Sequence, residues 1–323
     1  MIALARTGLL LLGLHLSLTA QTSFTHTRPA MGTPWHITLY ASDTLTARRA
    51  IDSVFARIEQ IEQRMSDYRP ESEINRLVRL PARRYHAISP DLQRVLTEAL
   101  LLARRSRGAF DPTVGPLSKL WRRAIRQQAF PHQTEINGAR SRVRWKSVRL
   151  SRSSGIWLGR DSMQLDLGGI AKGYALDAAG EVLQHLGITR YLIDGGGDLL
   201  LGAPPPGRRG WTVATPTGTI DTARVAIASS GITYQYLLHE GRWYGHIIDP
   251  RTGLGIIHPQ AVTVMHDRAT VADGLASTLS ILPPKVWARL LRHYPGARHL
   301  KSEADSRPDV SAPEASASDK PQD

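Results

Sequence analysis

The chain of 323 residues contains no cysteine. Disulfide bonds, thiol nucleophiles and Cys-ligated metal sites are therefore excluded. Lipid attachment through cysteine is excluded as well, although residues 18–21 otherwise resemble a lipoprotein cleavage box, because Gln21 stands where the lipidated Cys would be. Any lipoprotein description is thus ruled out for this chain.

Acidic residues are also scarce relative to basic ones. The 28 Asp and Glu face 41 Lys and Arg, which gives a formal net charge of +13. Such a balance favours anionic partners, namely nucleic acid, an anionic membrane or a phosphate-bearing cofactor. The arginines are scattered along the chain and no nucleic-acid reader motif is present, so we expect no nucleic-acid partner. A GC-rich genome would produce the same arginine usage.

No apolar run is comfortably long enough to span a membrane. Residues 1–20 combine Arg6 with an apolar stretch over residues 9–18 and end in Ala20, a pattern typical of a signal peptide, with an uncleaved anchor as the alternative. We expect an exported, periplasmic protein that is peripheral to the membrane at most. Residues 301–323 hold six acidic and three basic residues with almost no bulky apolar side chain, which predicts a disordered tail.

The remaining chain alternates helical and strand-like patterns without regular βαβ order. The 3.6-residue period predicts a helix over residues 43–64, and Ser89 followed by Pro90 predicts the start of a second helix. Strand-like segments include residues 35–40, 163–167 and 243–248, and long helices are predicted over residues 170–186 and from Arg268. This mixture predicts an α+β fold.

The most informative run is residues 166–177, DLGGIAKGYALD. A predicted strand ends in Asp166, two glycines allow a turn, and Lys172 stands where a helix begins. Free backbone N–H groups, a positive helix end and an ammonium suit a phosphate. The run matches neither common nucleotide fingerprint, so a glycine-rich turn with a solvated lysine is the alternative interpretation.

Four other segments carry candidate chemistry. Asp111 lies in a rigid turn of prolines and glycine, and residues 195–197 are three glycines that allow close backbone approach. His246 stands near a strand end, where an imidazole is suited to act as a general base. Asp273 and Ser277 lie four residues apart on a predicted helix and offer hard oxygen ligands for Mg²⁺. Each segment alone also fits a purely structural role.

Taken in order, these segments resemble the FAD:protein FMN transferases, the ApbE-like family formerly described as thiamine-biosynthesis lipoproteins. The resemblance covers residues 28–295 as one flavin-transferase-type domain and implies an α+β fold with the FAD cleft between two lobes. It implies FAD as substrate, Mg²⁺ as cofactor, and transfer of FMN to a Thr or Ser hydroxyl of an acceptor flavoprotein with release of AMP.

The resemblance also implies roles for individual residues. It implies flavin-nucleotide contacts at Met31, Glu73, Asp111, Gly169, Lys172, Ile248 and Asp249. It implies a metal shell formed by Asp273, Ser277 and the carbonyl of Ala171. It implies that His246 is the base that activates the acceptor hydroxyl, with Asp249 beside it in the catalytic segment.

This sequence departs from the family pattern at two further positions. Ser277 replaces a more common Thr and keeps the hydroxyl, whereas Val78 occupies a position that is commonly Asn. The resemblance implies a polar contact near the flavin at this position, which Val78 puts in doubt and for which Asn75 is a candidate substitute. Two other functions remain open at this point: an FAD pyrophosphatase that releases FMN and AMP, and an exported flavin-binding protein without turnover.

Overall fold

The computed structural model describes residues 21–215, 218–231, 236–257 and 261–300. The predicted signal peptide and the predicted disordered tail lie outside these residues. The α-helices of the described part are α1 (Thr44–Met65), α2 (Glu73–Leu77), α3 (Pro90–Arg105), α4 (Gly115–Gln127), α5 (Gln133–Arg140), α6 (Ala171–His185), α7 (Ala269–Ile281) and α8 (Trp287–Leu291).

Strands are short and numerous. They are β1 (Thr22–Ala30), β2 (Thr33–Ala41), β3 (Tyr85–His86), β4 (Val148–Ser151), β5 (Gly155–Leu158), β6 (Tyr191–Gly195), β7 (Leu199–Leu201), β8 (Trp211–Thr215), β9 (Gly218–Thr222), β10 (Val225–Ser230), β11 (Tyr236–His239), β12 (Arg242–Gly245), β13 (Ile248–Asp249), β14 (Leu254–Gly255), β15 (Val262–His266) and β16 (Arg298–Leu300).

A seven-stranded sheet forms the centre of the molecule. Its order is β1-β2-β6-β7-β10-β15-β16, and every strand pairs antiparallel with its neighbours. Alternate residues Trp35, Ile37 and Leu39 of β2 are completely buried, as the two-residue period of a strand requires. They belong to the main core, in which α1, α6 and α7 cover one face of the sheet. The α+β fold is therefore confirmed.

Two smaller clusters complete the packing. On the other face of the sheet, the β8–β9 hairpin contributes Trp211 and Val213 to a cluster with Leu201 and Ile227. A separate cluster joins α4 and α5 to the β11–β13 region through residues that include Trp121 and Ile248. The candidate site residues are thus divided between the main core and this second helical cluster.

The interpretation of residues 163–167 as a strand was wrong. The segment makes one isolated parallel bridge, from Val114 to Gln164, and no ladder. Its apolar residues Met163, Leu165 and Leu167 are nevertheless buried in the main core. Alternating burial produced a strand-like pattern in a segment that has no neighbouring strand to pair with. In the described ranges, no helix has both the length and the apolar character needed to cross a membrane.

Candidate active site

Helices α6 and α7 pack antiparallel with almost no space between them. The backbone N–H of Gly173 donates a 2.9 Å hydrogen bond to Oδ2 of Asp273. One turn further along α6, the Asp177 carboxylate accepts bonds from the N–H groups of Ala269 and Thr270, at 2.7 and 2.9 Å. These bonds satisfy donors at the start of each helix and place the N-terminus of α6 against the middle of α7.

A glycine permits this close approach. A Cβ atom on Gly173 would lie 2.3 Å from the carbonyl oxygen of Ala269 and 2.8 Å from Cβ of Asp273. No side chain fits there without moving one helix. Gly173 therefore fixes how near the Asp273 carboxylate comes to the first turn of α6.

The loop before α6 reaches the next turn of α7. A Cβ on Gly169 would lie 3.1 Å from Oγ of Ser277, and that oxygen lies 3.1 Å from Oγ of Ser230 at the end of β10. Ala171 is the buried first residue of α6. The structure thus brings the predicted metal shell of Asp273, Ser277 and Ala171 into one region together with Gly169.

Lys172 has a direct carboxylate partner that sequence analysis missed. Its Nζ donates to Oδ2 of Asp198, whose other oxygen accepts a 3.1 Å bond from the N–H of Ser229. Burial opposes the charge on Lys172, but the carboxylates of Asp273 and Asp198 outweigh burial and raise its pKa. Lys172 is therefore an ammonium group fixed by an ion pair at the start of α6, rather than a solvated surface lysine.

Asp273 is the buried carboxylate of the site, with 3% of its surface exposed. Burial raises its pKa, the Lys172 ammonium opposes that rise, and the neighbouring Asp198 charge adds to it. A cation beside Asp273 would favour its charged form, and the carboxylate, the Ser277 hydroxyl and a backbone carbonyl are the hard oxygen donors that Mg²⁺ takes. The residues present therefore fit this ion, with ligand phosphates needed to complete its shell.

No richer metal cluster competes with this one in the described part of the chain, where no group of three His, Asp or Glu residues is placed to hold a metal. A shell of one carboxylate and neutral oxygens binds Mg²⁺ weakly by itself. Such a site depends on substrate phosphates, which is the usual mode for this ion.

Asp111 holds its own turn beside the helix start. Its carboxylate accepts from the N–H and hydroxyl of Thr113, at 2.8 and 2.6 Å, and from the N–H of Trp145 at 3.0 Å. Burial raises its pKa and these bonds oppose the rise. The preceding residue, Phe110, has a ring atom 3.3 Å from where a Gly169 Cβ would lie, so this turn borders the same region. Its contact with the flavin nucleotide stays a prediction.

Met31 and Glu73 are held by other parts of the protein. Met31 occupies the β1–β2 turn with φ of +49° and donates its N–H to Oε2 of Glu62 at 3.2 Å. Glu73 begins α2, and its carboxylate accepts from both the N–H and the hydroxyl of Ser89 at 2.6 Å. No described contact joins either residue directly to the Asp273 region, and their predicted flavin contacts remain predictions.

The segment with His246 and Asp249 belongs to the second helical cluster. The single strand predicted over residues 243–248 is in fact two strands, since β12 ends at Gly245 and β13 begins at Ile248. His246 lies between them and is exposed. Ile248 is 6% exposed and packs in that cluster. Asp249 accepts bonds of 2.8 Å from the Nε and Nη2 atoms of Arg251, and this ion pair fixes the following turn. The roles predicted for these residues stay predictions.

Comparison with known proteins decides the family. The model of the ApbE family matches residues 31–300. This chain belongs to the ApbE family. It is 31% identical over 269 residues to an FAD:protein FMN transferase of Vibrio cholerae, covering 79% of this chain and 80% of that protein. It is 30% identical over 258 residues to one of Chlamydia pneumoniae, covering 78% and 81%.

Solved structures of the ApbE family share the fold. A histidine-to-glycine mutant of the flavin transferase ApbE from Vibrio cholerae superposes with a TM-score of 0.78 at 26% identity, covering 88% of this chain and 98% of that one. The apo flavinyl transferase ApbE of Pseudomonas stutzeri gives 0.77 at 25% identity, covering 90% and 97%. This ApbE-family chain is accordingly an enzyme of the transferase class.

A cavity near the site of this ApbE-family protein was not predicted from the sequence. It has a volume of about 420 Å³ and is lined by residues that include Tyr68, Asn75 and Val78. Tyr68 is 72% exposed, and the Arg122 guanidinium lies 4.2 Å from its ring centroid. The amide nitrogen of Asn75 donates to three backbone carbonyls in the 66–69 loop. Asn75 therefore supports this loop with its amide nitrogen, and its substitution for the polar group missing at Val78 stays a prediction.

Arg122 joins this cavity to the loop before α6. It pairs with Asp67 and donates a 3.1 Å bond to Oδ2 of Asp166, whose Oδ1 accepts from the N–H of Gly168 at 2.8 Å. Arg122 belongs to α4, which the sequence patterns did not predict. A single guanidinium thus joins Asp67 of the 66–69 loop to Asp166 at the start of the glycine turn.

Proposed function

We propose that this protein moves the FMN part of FAD onto a Thr or Ser hydroxyl of an exported or membrane redox protein and releases AMP. The observation that carries the proposal is the meeting of Asp273 and Ser277 of α7 with the glycine turn and first residues of α6. A positive helix end, the Lys172 ammonium and hard oxygen donors suit a pyrophosphate with its divalent ion. The names of the relatives support FAD as the donor.

The reaction exchanges the phosphoanhydride bond of FAD for a phosphate ester bond to the acceptor. The acceptor oxygen forms a bond to the FMN phosphorus, the pyrophosphate bond on that phosphorus breaks, and AMP leaves with the bridging oxygen. The hydroxyl must lose its proton, for which His246 is the proposed base because it is exposed to an incoming protein and ordinary imidazoles titrate near neutrality. Asp249 and Arg251 hold the turn that follows His246.

Negative charge on the phosphoryl oxygens has to be stabilised as the bond changes. Lys172 supplies a fixed positive charge that Asp198 orients, and the positive end of the α6 helix dipole adds to it. Mg²⁺, when bound by Asp273, Ser277 and the Ala171 carbonyl, would supply further charge neutralisation at the pyrophosphate. The protein residues therefore orient the substrate and hold its charge before the acceptor arrives.

We further propose that the enzyme acts outside the cytoplasm, in the periplasm, without a Cys-linked lipid. The amino-terminal export pattern supports this location. An exported or membrane redox protein is then the accessible acceptor. Flavin attached by a covalent bond cannot be lost from such a protein by dilution.

The test is a transfer reaction in a purified system. Protein lacking residues 1–20 is incubated with FAD, Mg²⁺ and a candidate exported acceptor, and the acceptor is searched by mass spectrometry for FMN on Thr or Ser. An adduct together with AMP supports the transferase. AMP and free FMN without an adduct, across acceptors, would indicate a pyrophosphatase, and bound FAD without AMP would indicate a flavin-binding protein.

A further inference from the structure

Positive side chains converge on one surface groove outside the site described above. A cavity of about 360 Å³ is lined by Arg104, Arg105, Arg107, Arg289 and His293, and by no acidic residue. We call this set the arginine groove. Its residues come from the end of α3 and from the α8 region, and are far apart in sequence. What looked like scattered arginines in the sequence is therefore a concentrated patch in the fold.

The fold makes limited use of these charges, with the Arg105 guanidinium lying 4.6 Å from the ring centroid of Tyr294. Within the described residues, no Asp or Glu pairs with Arg104, Arg107 or Arg289. The end of α3 is already capped by backbone, because Ser106 donates to the Leu102 carbonyl and Gly108 to that of Ala103. Like charges gathered in one cavity repel each other, and an anionic ligand removes that cost.

The groove continues over an apolar floor. A second cavity of about 220 Å³ shares Arg105, Arg107 and Arg289 and is also lined by Leu282, Val286 and Leu290. An inorganic anion would contact the arginines but leave the apolar floor uncovered. A lipid bilayer has a flat surface, which does not fit into a groove. Acidic side chains interspersed with apolar ones match both surfaces, since guanidinium groups bind carboxylates in bidentate geometry.

One lining residue of the groove lies close in sequence to the candidate base. Arg251 lines the second cavity and pairs with Asp249. Arg251 follows His246 by five residues, so their Cα atoms are at most about 18 Å apart. A segment of about six extended residues spans that distance. A protein seated in the groove therefore reaches His246 without unfolding a large part of its chain.

We propose that the arginine groove docks an acidic, partly apolar segment of the acceptor protein near the Thr or Ser that is modified. This proposal rests on the proposed function for the identity of the partner, but the chemistry of the groove is independent of it. Docking by charge raises the encounter rate with an acidic partner and selects against basic ones. The groove would thus contribute to acceptor choice while the α6–α7 region binds the nucleotide.

The test uses a fluorescent twelve-residue peptide made of four Glu-Glu-Leu repeats, with a Gln-Gln-Leu peptide as its neutral control. Peptide binding to three proteins is measured by fluorescence anisotropy. They are the wild type, the groove variant Arg104→Gln/Arg107→Gln/Arg289→Gln and the matched variant Arg48→Gln/Arg49→Gln/Arg126→Gln. The matched variant loses the same charge, but from exposed helical sites. We expect the groove variant to bind the Glu peptide about tenfold more weakly. The matched variant and the wild type should agree within about twofold at low salt.

Three results would overturn the docking proposal. They are equal weakening in both variants, equal binding of the neutral peptide, and groove-dependent binding of phosphatidylglycerol vesicles without binding of the Glu peptide. In the transfer assay, the Glu peptide should slow FMN attachment to the acceptor and leave FAD binding unchanged, and failure to slow it also counts against docking. Absence of FMN transfer by the wild type would refute the proposed function instead, and the peptide titration, which needs no FAD, separates the two failures.

Discussion

The carboxylate of Asp273 accepts a 2.9 Å hydrogen bond from the backbone N–H of Gly173, and this bond joins the middle of α7 to the first turn of α6. The same carboxylate is the charged group of the candidate metal shell. One contact therefore links helix packing to the chemistry of the site. Disturbing the packing should change the site as well as the stability.

Gly173→Ala tests this link. The added Cβ would meet the Ala269 carbonyl oxygen at 2.3 Å, so we expect a loss of about 2–3 kcal/mol in the free energy of unfolding. Urea denaturation measures it. Gly138→Ala in α5 is the control, because nothing lies within 4 Å of its Cβ position, and it should stabilise by about 0.5–1 kcal/mol. Equal effects of the two changes would show that the helices are not in close contact.

Asp198→Asn should destabilise the protein by removing the charge that pairs with Lys172. Asp198 is 2% exposed, and loss of one partner of such a pair costs about 3 kcal/mol. The control is Asp52→Asn, which breaks the exposed Arg28–Asp52 pair and should cost less than about 1 kcal/mol. Thermal unfolding followed by circular dichroism compares them. A cost for Asp198→Asn no larger than that of the control would contradict the buried pairing.

Arg122→Gln should give a stability loss that grows with pH. Burial, with the Asp166 charge, already raises the pKa of Asp67 although Arg122 opposes the rise, and removing Arg122 raises that pKa further. When the pKa of a carboxyl group is higher in the folded than in the unfolded state, the folded state binds its proton more tightly. The free energy of unfolding then falls as the pH rises above the pKa of the unfolded state, because the unfolded chain ionises more easily. We therefore expect a loss of about 3 kcal/mol near pH 7 and a clearly smaller one near pH 4.

Arg126→Gln is the control for that series. Arg126 is exposed on the same helix, and its substitution should change the unfolding free energy by less than about 0.5 kcal/mol at either pH. Denaturant titrations at both pH values measure the difference. A loss in Arg122→Gln that is constant or larger at low pH would contradict the assignment of two carboxylates to one guanidinium.

His246→Ala should slow transfer of FMN without weakening FAD binding. Loss of a general base costs about 100-fold in rate or more, whereas FAD affinity should stay within about twofold. Stopped assays of adduct formation and fluorescence titration with FAD measure the two effects. His185→Ala, at the exposed end of α6, should change neither. Parallel loss of binding and transfer would refute the role of His246 as base.

Local signals in the sequence predicted several of these relationships. Ser89 and Pro90 marked the start of α3 correctly, since Ser89 accepts from the N–H of Leu92 as an N-cap residue does. The four-residue spacing of Asp273 and Ser277 placed both on one helix, as observed. Such features depend on neighbours within one or two turns, which a sequence displays directly.

Other relationships depend on residues far apart in the chain. Lys172 at the start of α6 pairs with Asp198, which follows β6 and the glycine loop after it. Arg122 of α4 pairs with Asp166, which precedes α6. No periodic pattern reports such contacts. The arginine groove has the same origin, because Arg107 and Arg289 lie together only when α8 packs near the end of α3. Tertiary packing, rather than local propensity, builds the candidate site.

The most direct test of the central claim is the ratio of AMP released to FMN attached, measured side by side for the wild type and Asp273→Asn. With FAD, Mg²⁺ and an acceptor, the wild type should give one AMP for each FMN–protein bond, and chelation of Mg²⁺ should stop both. Asp273→Asn should lose at least about 100-fold in both products. AMP without attached FMN, or an unchanged rate in Asp273→Asn, would contradict the account.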